Sequence, residues 1–379
     1  MKKNKILIFT GSRAEYGIMR ELIKTTTKFF NTNLVVSGSH FKKEYGSTLN
    51  EIKKDKVKIF KKINVFKGTS SIEINKTISY GIIEFSKLFR EYNFDALIVC
   101  GDRYEILSPC IAATFYKVPI VHFHGGELSF GSYDDTTRHM VTKMASLHFV
   151  SHEKYKNRVH QLGENMNNIH CIGAIGYSDN INNEIYSKNE IKEKLRLKFN
   201  KFNFLIVFHP ETQNMRSKKL LNKTLKAIKT FKNTNFFFTG SGADLYAEDL
   251  KKIKKNFIKK NNNSYYFESL GRKMYLSLLK NVDCLIGNSS SAIYEAPIFK
   301  VPSVNIGTRQ QGRVFSNNII PSEGKSISDI ISKIKMARKI NRKNIKNPFF
   351  KKNPEKNAIK ILKKQNFSKL LPKKFFDLI

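Results

Sequence analysis

Between Val99 and His139 the chain gathers a high density of side chains that handle protons. Gly101-Asp102-Arg103-Tyr104-Glu105 ends one apolar run and His122-Phe123-His124-Gly125-Gly126-Glu127 ends the next. Asp134-Asp135-Thr136-Thr137-Arg138-His139 follows after a short loop and opens a helical pattern marked by Met140, Met144 and Leu147. Carboxylates and imidazoles converging on one rim suit proton abstraction, proton donation and the activation of water. Asp102 can act as base or acid, with a pKa set by burial and by Arg103, or it can simply cap the next helix. Glu127 follows two glycines that let its backbone approach a ligand closely, and Asp134 adds a third carboxylate. His122, His124 and His139, taken singly, fit a packed or capping role as well as a catalytic one.

These residues need elements that carry them to a common edge. The segments 95–100 and 118–122 read as buried parallel strands, and open α/β sheets collect their ligands at the carboxyl ends of such strands. Apolar runs at 6–9, 33–37, 96–99, 120–121, 147–150 and 169–172 alternate with helical periodicity at 18–30, 72–89 and 106–116, which is βαβ order. A second series of strands at 202–208, 236–239, 264–267, 284–286 and 303–306 again has helices between. The fold class is therefore α/β, with two Rossmann-like doubly wound domains spanning 1–175 and 176–350. Gly173 and Gly176 loosen the chain at the boundary. A lysine-rich tail over 351–379 keeps one apolar helix face, Ala358, Ile361 and Leu362, and is expected to dock on the body.

Other strand ends carry groups suited to phosphate. Thr10-Gly11-Ser12-Arg13-Ala14-Glu15-Tyr16-Gly17 joins the first strand to a helix, so its amides and Arg13 form a candidate phosphate site; a tight turn with a surface arginine is the plainer reading. The absence of G-x-G-x-x-G argues against a dinucleotide cofactor. In the second half, Val207-Phe208-His209-Pro210-Glu211-Thr212 sets an imidazole and a carboxylate at a strand tip. Gly287-Asn288-Ser289-Ser290-Ser291 reads as a diphosphate cradle or, more plainly, as a serine-rich cap, with Glu295 placed to accept from ribose hydroxyls. The run from Asn305 to Arg313 adds Arg309 and Arg313. Two such half-sites imply a nucleotide-sugar held between the domains.

Composition narrows the alternatives. Among 379 residues, 68 Lys and Arg face 31 Asp and Glu, giving a net charge of +37, which ordinarily raises a polyanion partner. The lysines are spread over the predicted surface helices rather than gathered in a stripe, so the charge reads as a solvated basic surface that helps attract an anionic substrate. A nucleic-acid binder would show steep salt dependence and no turnover. No stretch approaches the length of a membrane span, and the 5–10 segment is too short for a secretory leader, so a cytoplasmic location is expected. Cys100, Cys110, Cys171 and Cys284 lack Cys-x-x-Cys spacing; neither disulfides nor a zinc site is expected.

In order along nearly the whole chain stand Gly11-Ser-Arg-Ala-Glu-Tyr-Gly17, Gly101-Asp-Arg-Tyr-Glu-Ile106, His122-x-His-Gly-Gly-Glu127, Arg138-His139, Val207-Phe-His-Pro-Glu-Thr212, Gly287-Asn-Ser-Ser-Ser291 and Asn305-Ile-Gly-x-Arg-Gln310. Jointly they resemble the hydrolysing UDP-N-acetylglucosamine 2-epimerases of bacterial sialic acid synthesis. The resemblance implies a glycosyltransferase-B-like fold with substrate in the interdomain cleft, and a C-terminal helix that packs back on the first domain. It implies removal of the C2 proton, expulsion of UDP to a 2-acetamidoglucal, then addition of water at C1 with reprotonation at C2 from the other face. It further implies no nicotinamide or metal, and a homodimer or homotetramer.

By resemblance Asp102, Glu127 or its neighbour His124, and Asp134 are the acid/base groups. Arg13, Arg103, Ser289, Ser290, Glu295 and Arg309 match UDP-binding positions, the backbone near Leu270 holds uracil, and His40 and His209 line sugar and phosphate. Several relatives carry a catalytic Glu where this chain has His124, so the second proton transfer falls to His124 or to Glu127. Ala14 after Arg13, where the non-hydrolysing branch typically carries a proline, sets the chain apart from that branch. UDP- or GDP-linked diacetamido sugars of legionaminic acid synthesis are alternative substrates, and a glycosyltransferase of the same fold is the rival activity.

Overall fold

The computed structural model describes residues 3–42, 49–177, 181, 185–213 and 216–378. The chain forms two compact units, each built on one parallel sheet. Unit 1 comprises Met1–Glu127, Asp134–Asp179 and Phe349–Ile379, and unit 2 comprises Leu128–Tyr133 and Asn180–Pro348.

In unit 1 the elements run β1 (Lys5–Thr10), α1 (Arg13–Phe29), β2 (Asn31–Val36), α2 (Leu49–Lys54), β3 (Ile59–Lys62), α3 (Ser71–Glu91), β4 (Ala96–Cys100), α4 (Leu107–Phe115), β5 (Ile120–Phe123), α5 (Asp134–Met144), β6 (Leu147–Val150), α6 (Glu153–Gln161) and β7 (Ile169–Cys171). Their sheet order is β3-β2-β1-β4-β5-β6-β7. The chain winds one way from β1 to β3 and the other way from β4 to β7, so the tips of β1 and β4 flank a topological switch point. Alternation of side chains builds two cores at once. Ile6, Ile8, Ala96, Ile98 and Cys100 pack on one face, while Leu7, Phe9, Leu97 and Val99 pack on the other. Burial of both faces explains why these strands read as unbroken apolar runs.

Unit 2 repeats the plan with α7 (Lys188–Leu195), β8 (Phe202–Val207), α8 (Ser217–Ile228), β9 (Thr234–Thr239), α9 (Ala247–Lys259), β10 (Ser264–Phe267), α10 (Gly271–Lys280), β11 (Cys284–Gly287), α11 (Ser291–Tyr294), β12 (Ser303–Ile306), β13 (Ile319–Ser322) and α12 (Ile327–Arg338). The sheet order β10-β9-β8-β11-β12-β13 puts its switch point between β8 and β11. Phe204, Ile206, Phe236 and Phe238 fill the face beneath α8 and α12. The doubly wound α/β class expected from the alternation of strands and helices is the class observed.

Several local expectations need correction. β3 and β13 are strands that the apolar pattern did not reveal: both lie at sheet edges, β3 carries Lys61 and Lys62, and β13 contains Pro321. Leu147 starts β6 and does not belong to α5, and Met140 points outward, 46% exposed. The final helix, α13 (Pro354–Leu362), buries Ala358, Ile359 and Leu362 against Met19, Leu22 and Ile23 of α1, with Ile361 only half-buried. Glu355 anchors it by accepting from the Gly176 amide at 2.6 Å. No helix among the described residues is long and apolar enough to cross a membrane.

Leu362→Ala removes a fully buried side chain from this contact; we expect unit 1 to lose about 2–5 kcal/mol, read as a fall in the first transition of a denaturant or thermal melt.

Candidate active site

At the β4 tip, Gly101 takes a left-handed φ of +82° while its amide bonds Phe123 O at 2.9 Å, and the turn sets Asp102 on the rim. The β5 tip is built around His124. Its amide bonds Phe149 O at 2.8 Å, and its φ of +63° is a conformation that costs a non-glycine residue of the order of 1–3 kcal/mol. Two glycines follow for steric reasons. A Cβ on Gly125 would approach Thr142 Oγ1 to 2.9 Å, and one on Gly126 would meet Tyr155 O at 2.5 Å. This tight turn folds Glu127 back so that its Oε1 lies 3.0 Å from His124 Nδ1 and 3.3 Å from the Ser151 hydroxyl that donates to it. Glu127 is buried, and so is His124.

Arg138 ties the rim together. One turn inside α5, its guanidinium is only 1% exposed; it pairs with Asp102, donates to Glu127 O at 2.9 Å and lies 3.5 Å from Asp135. The sequence offered Arg103 as the charge beside Asp102, and the structure adds Arg138 as a partner of that carboxylate. Arg103 also forks onto Glu105, at 3.2 and 3.3 Å. Asp134 opens α5, and it is Asp135 that reaches Arg138 and, at 3.7 Å, His139. His122 has both ring nitrogens in use, with Gly101 O at 2.8 Å and Thr142 Oγ1 at 3.2 Å, and burial pulls its pKa down to about 3. It is a neutral brace between β4, β5 and α5.

The β1 tip departs from a simple phosphate loop. Ser12 caps α1 through the Glu15 amide at 3.4 Å, and the Gly11 amide is already occupied by the Glu15 carboxyl at 2.7 Å. Arg13 is the first residue of α1. His40, on the turn after β2, shares a 3.0 Å hydrogen bond with Thr10 Oγ1, and burial lowers its pKa to about 3. Burial, and then the charge of Glu105, push Glu15 up to about 8.

In unit 2 the tips of β8, β9 and β11 are laced by side chains. Asn288 accepts from the His209 amide at 2.7 Å and donates to its carbonyl at 2.9 Å, and Gln310 donates to Asn288 O at 2.8 Å. His209 Nδ1 lies 2.9 Å from Ser241 O. Ser289 accepts from the Ser291 amide at 3.2 Å, Ser290 precedes the short α11 and Glu295 ends it. Leu270 caps α10 from outside. Arg309 sits on a turn organised by Glu211, whose Oε1 accepts from the amides of Thr308 and Arg309.

The segment Leu128–Tyr133 packs on the same turn, with Phe130 N donating to Gln311 O at 3.3 Å and Tyr133 N to Thr212 Oγ1 at 2.9 Å. The predicted residues thus gather in two groups: Arg13, His40, Asp102, Arg103, His124, Glu127 and Asp134 in unit 1, and His209, Leu270, Ser289, Ser290, Glu295 and Arg309 in unit 2.

Sequence reasoning singled out no role for Arg138, Glu105, Ser151 or Gln310, and named Glu211 and Asn288 only as members of strand-tip motifs. All but Ser151 stand within the motifs quoted above, and the partners of Arg138, Glu211, Asn288 and Gln310 lie far along the chain, where only folding names them.

The state of Glu15 has a measurable consequence. A carboxyl whose folded pKa is raised from 4.5 to about 8 binds its proton more tightly in the native state, so its stabilisation is full below pH 4.5 and is lost as pH rises toward 8. Glu15→Gln should flatten that decline, seen as a smaller difference between melting temperatures at pH 5 and pH 8 than in the wild type.

Comparison with known proteins fits this geometry. The family model "UDP-N-acetylglucosamine 2-epimerase" matches residues 23–363. The chain is 38% identical over 396 residues to the GDP/UDP-N,N'-diacetylbacillosamine 2-epimerase (hydrolyzing) of Campylobacter jejuni, covering 100% of both chains. It is also 38% identical to the polysialic acid biosynthesis protein P7 of Escherichia coli, covering 95% of this chain and 93% of that one. Among solved structures, the UDP-GlcNAc 2-epimerase of Methanocaldococcus jannaschii, in complex with UDP-GlcNAc and UDP, superposes with a TM-score of 0.82 at 19% identity, covering 95% of this chain and 100% of that one. That likeness carries the fold, glycosyltransferase-B-like with two α/β domains. With the family model spanning most of its length and relatives this similar along all of it, the chain belongs to the UDP-N-acetylglucosamine 2-epimerase family, a family of nucleotide-sugar 2-epimerases.

Proposed function

We propose that the protein is a hydrolysing 2-epimerase that converts UDP-N-acetylglucosamine and water to N-acetylmannosamine and UDP. The observation that carries the reading is the rim of unit 1, where Asp102, His124 and Glu127 are gathered about the buried Arg138. A base removes the C2 proton, the C1–O bond to UDP breaks, and the 2-acetamidoglucal forms. Water then adds at C1 while an acid returns a proton to C2 on the opposite face. Asp102, His124, Glu127 and Asp134 are the groups assigned to these transfers. Nucleotide binding is assigned to Arg13, Arg103, Ser289, Ser290, Glu295 and Arg309, with His40, His209 and Leu270 beside them.

Between His124 and Glu127 the geometry favours the imidazole. Glu127 is turned inward onto His124 Nδ1 and Ser151, an arrangement that holds the ring and directs proton transfer through Nε2. This is the logic of a carboxylate orienting a histidine base. A substrate with a second acetamido group is the other reading, favoured by the 38% identity to the Campylobacter enzyme along the whole chain.

Incubation with UDP-N-acetylglucosamine alone in heavy water should release UDP and N-acetylmannosamine deuterated at C2, followed by proton NMR. Intact substrate, with turnover of a UDP- or GDP-linked diacetamido sugar, selects the second reading; failure on every sugar without an acceptor selects a transferase. His124→Gln should lower turnover by about 10²–10⁴-fold. Glu127→Gln keeps an acceptor at Nδ1 and should cost less, and the opposite order in steady-state assays gives the transfer to Glu127.

A further inference from the structure

Lys254 lies on the buried face of α9 with no exposed surface, yet it meets no carboxylate within hydrogen-bond distance among its recorded partners. Its Nζ donates to Phe208 O at 3.0 Å, to Thr239 O at 3.0 Å and to Ser241 Oγ at 2.8 Å. Three acceptors match the three donors of an ammonium group. All three are neutral, and burial lowers the pKa of the amine to about 7. Placing a cation here costs several kcal/mol that a methionine of similar length would not. Core packing therefore does not account for the residue, and its partners suggest what does.

Phe208 is the residue before His209, Thr239 ends the adjacent strand β9, and Ser241 follows it. The Ser241 hydroxyl accepts from Lys254 and donates to Phe208 O at 2.8 Å, while the Ser241 carbonyl receives His209 Nδ1 at 2.9 Å. The lysine thereby closes a ring of hydrogen bonds running from α9 through Ser241 to His209 and back along the β8 tip. A carbonyl can only accept, so this ring, with the Asp244 carboxylate 3.6 Å from the same nitrogen, favours the His209 tautomer with the proton on Nδ1 and turns Nε2 toward any ligand at the strand tips. Asn288 holds the same residue from the β11 side through its backbone.

We propose that Lys254 is a positioning residue of the nucleotide site of unit 2, acting through Ser241 to fix the ring orientation and tautomer of His209. The proposal rests on the assignment of His209 to the UDP-binding groups made above. Lys254 does not touch the ligand. Its role is to hold two neighbouring strand tips at the spacing His209 requires, which the β8–β9 ladder alone does not guarantee beyond the last paired residues, Ile206 and Phe238.

The test uses the full-length protein labelled with ¹⁵N-histidine, and compares wild type with Lys254→Met and Ser241→Ala. In wild type, long-range ¹H–¹⁵N spectra should show His209 as a single neutral tautomer protonated at Nδ1; in Lys254→Met the pattern should average between tautomers. In the same variant the affinity for UDP, measured by isothermal titration, should fall about tenfold, with KM for the nucleotide-sugar raised more than kcat is lowered. An unchanged His209 signal and unchanged UDP affinity in a folded Lys254→Met protein would overturn the proposal. Should that variant fail to fold, Ser241→Ala decides alone, since the lysine stays and only the bridge is cut: a wild-type His209 pattern there refutes the role. A wild-type protein that binds no UDP overturns the nucleotide assignment instead, and the ring spectra still judge Lys254.

Discussion

Burial of both faces of each parallel sheet is the constraint on which the rest of this molecule depends. Strands such as β1 and β4 send alternate residues into two separate cores, so their middles are apolar and a buried polar strand residue such as His122 must find partners. Chemistry is left to the tips, where the chain turns from strand to helix and polar side chains are no longer confined between two apolar faces. The winding order then decides which tips are adjacent. In unit 1 it sets β1 beside β4 and β4 beside β5, and in unit 2 β8 beside β9 and β11.

Adjacency by itself leaves the tips loose, and each unit adds a buried cation that binds them. Arg138 reaches from α5 to Asp102 after β4 and to the Glu127 carbonyl after β5. Lys254 reaches from α9 to Phe208 after β8, to Thr239 at the end of β9 and to Ser241 just beyond it. Both are helix residues whose basic groups sit in the interior; Arg138 meets Asp102 directly, and Lys254 meets the neighbours of His209. Arg138 is compensated by carboxylates and so marks where the acids gather. Lys254 has only neutral acceptors, which makes it a device for geometry rather than for charge balance. The left-handed backbone of His124 belongs with these features: strain is tolerated where Glu127, Ser151 and the packed glycine turn hold the residue in place.

Much of the architecture was legible along the chain because a fully buried strand must be apolar throughout and a covering helix apolar on one side. The elements that escaped, β3 and β13, are edge strands with one neighbour, where lysines and a proline are allowed and the apolar run breaks. The candidate site residues were picked by type and by their place in loops after strands. Closeness in sequence offered Arg103 beside Asp102, and folding adds what sequence distance hid: Arg103 also forks onto Glu105, and Asp102 is met by Arg138, thirty-six residues away.

The sequence by itself determined the class of fold, the strand tips that carry chemistry and the set of residue types available there, because hydrophobic periodicity and strand-ending motifs are properties of the chain alone. It left open which partners His124, Glu127 and Arg138 take, and which acceptors surround a lysine in the middle of an amphipathic helix. Those were decided by tertiary structure. Hydrogen bonds between strand tips, and the desolvation that makes each buried charge seek a partner, exist only once distant segments are brought side by side.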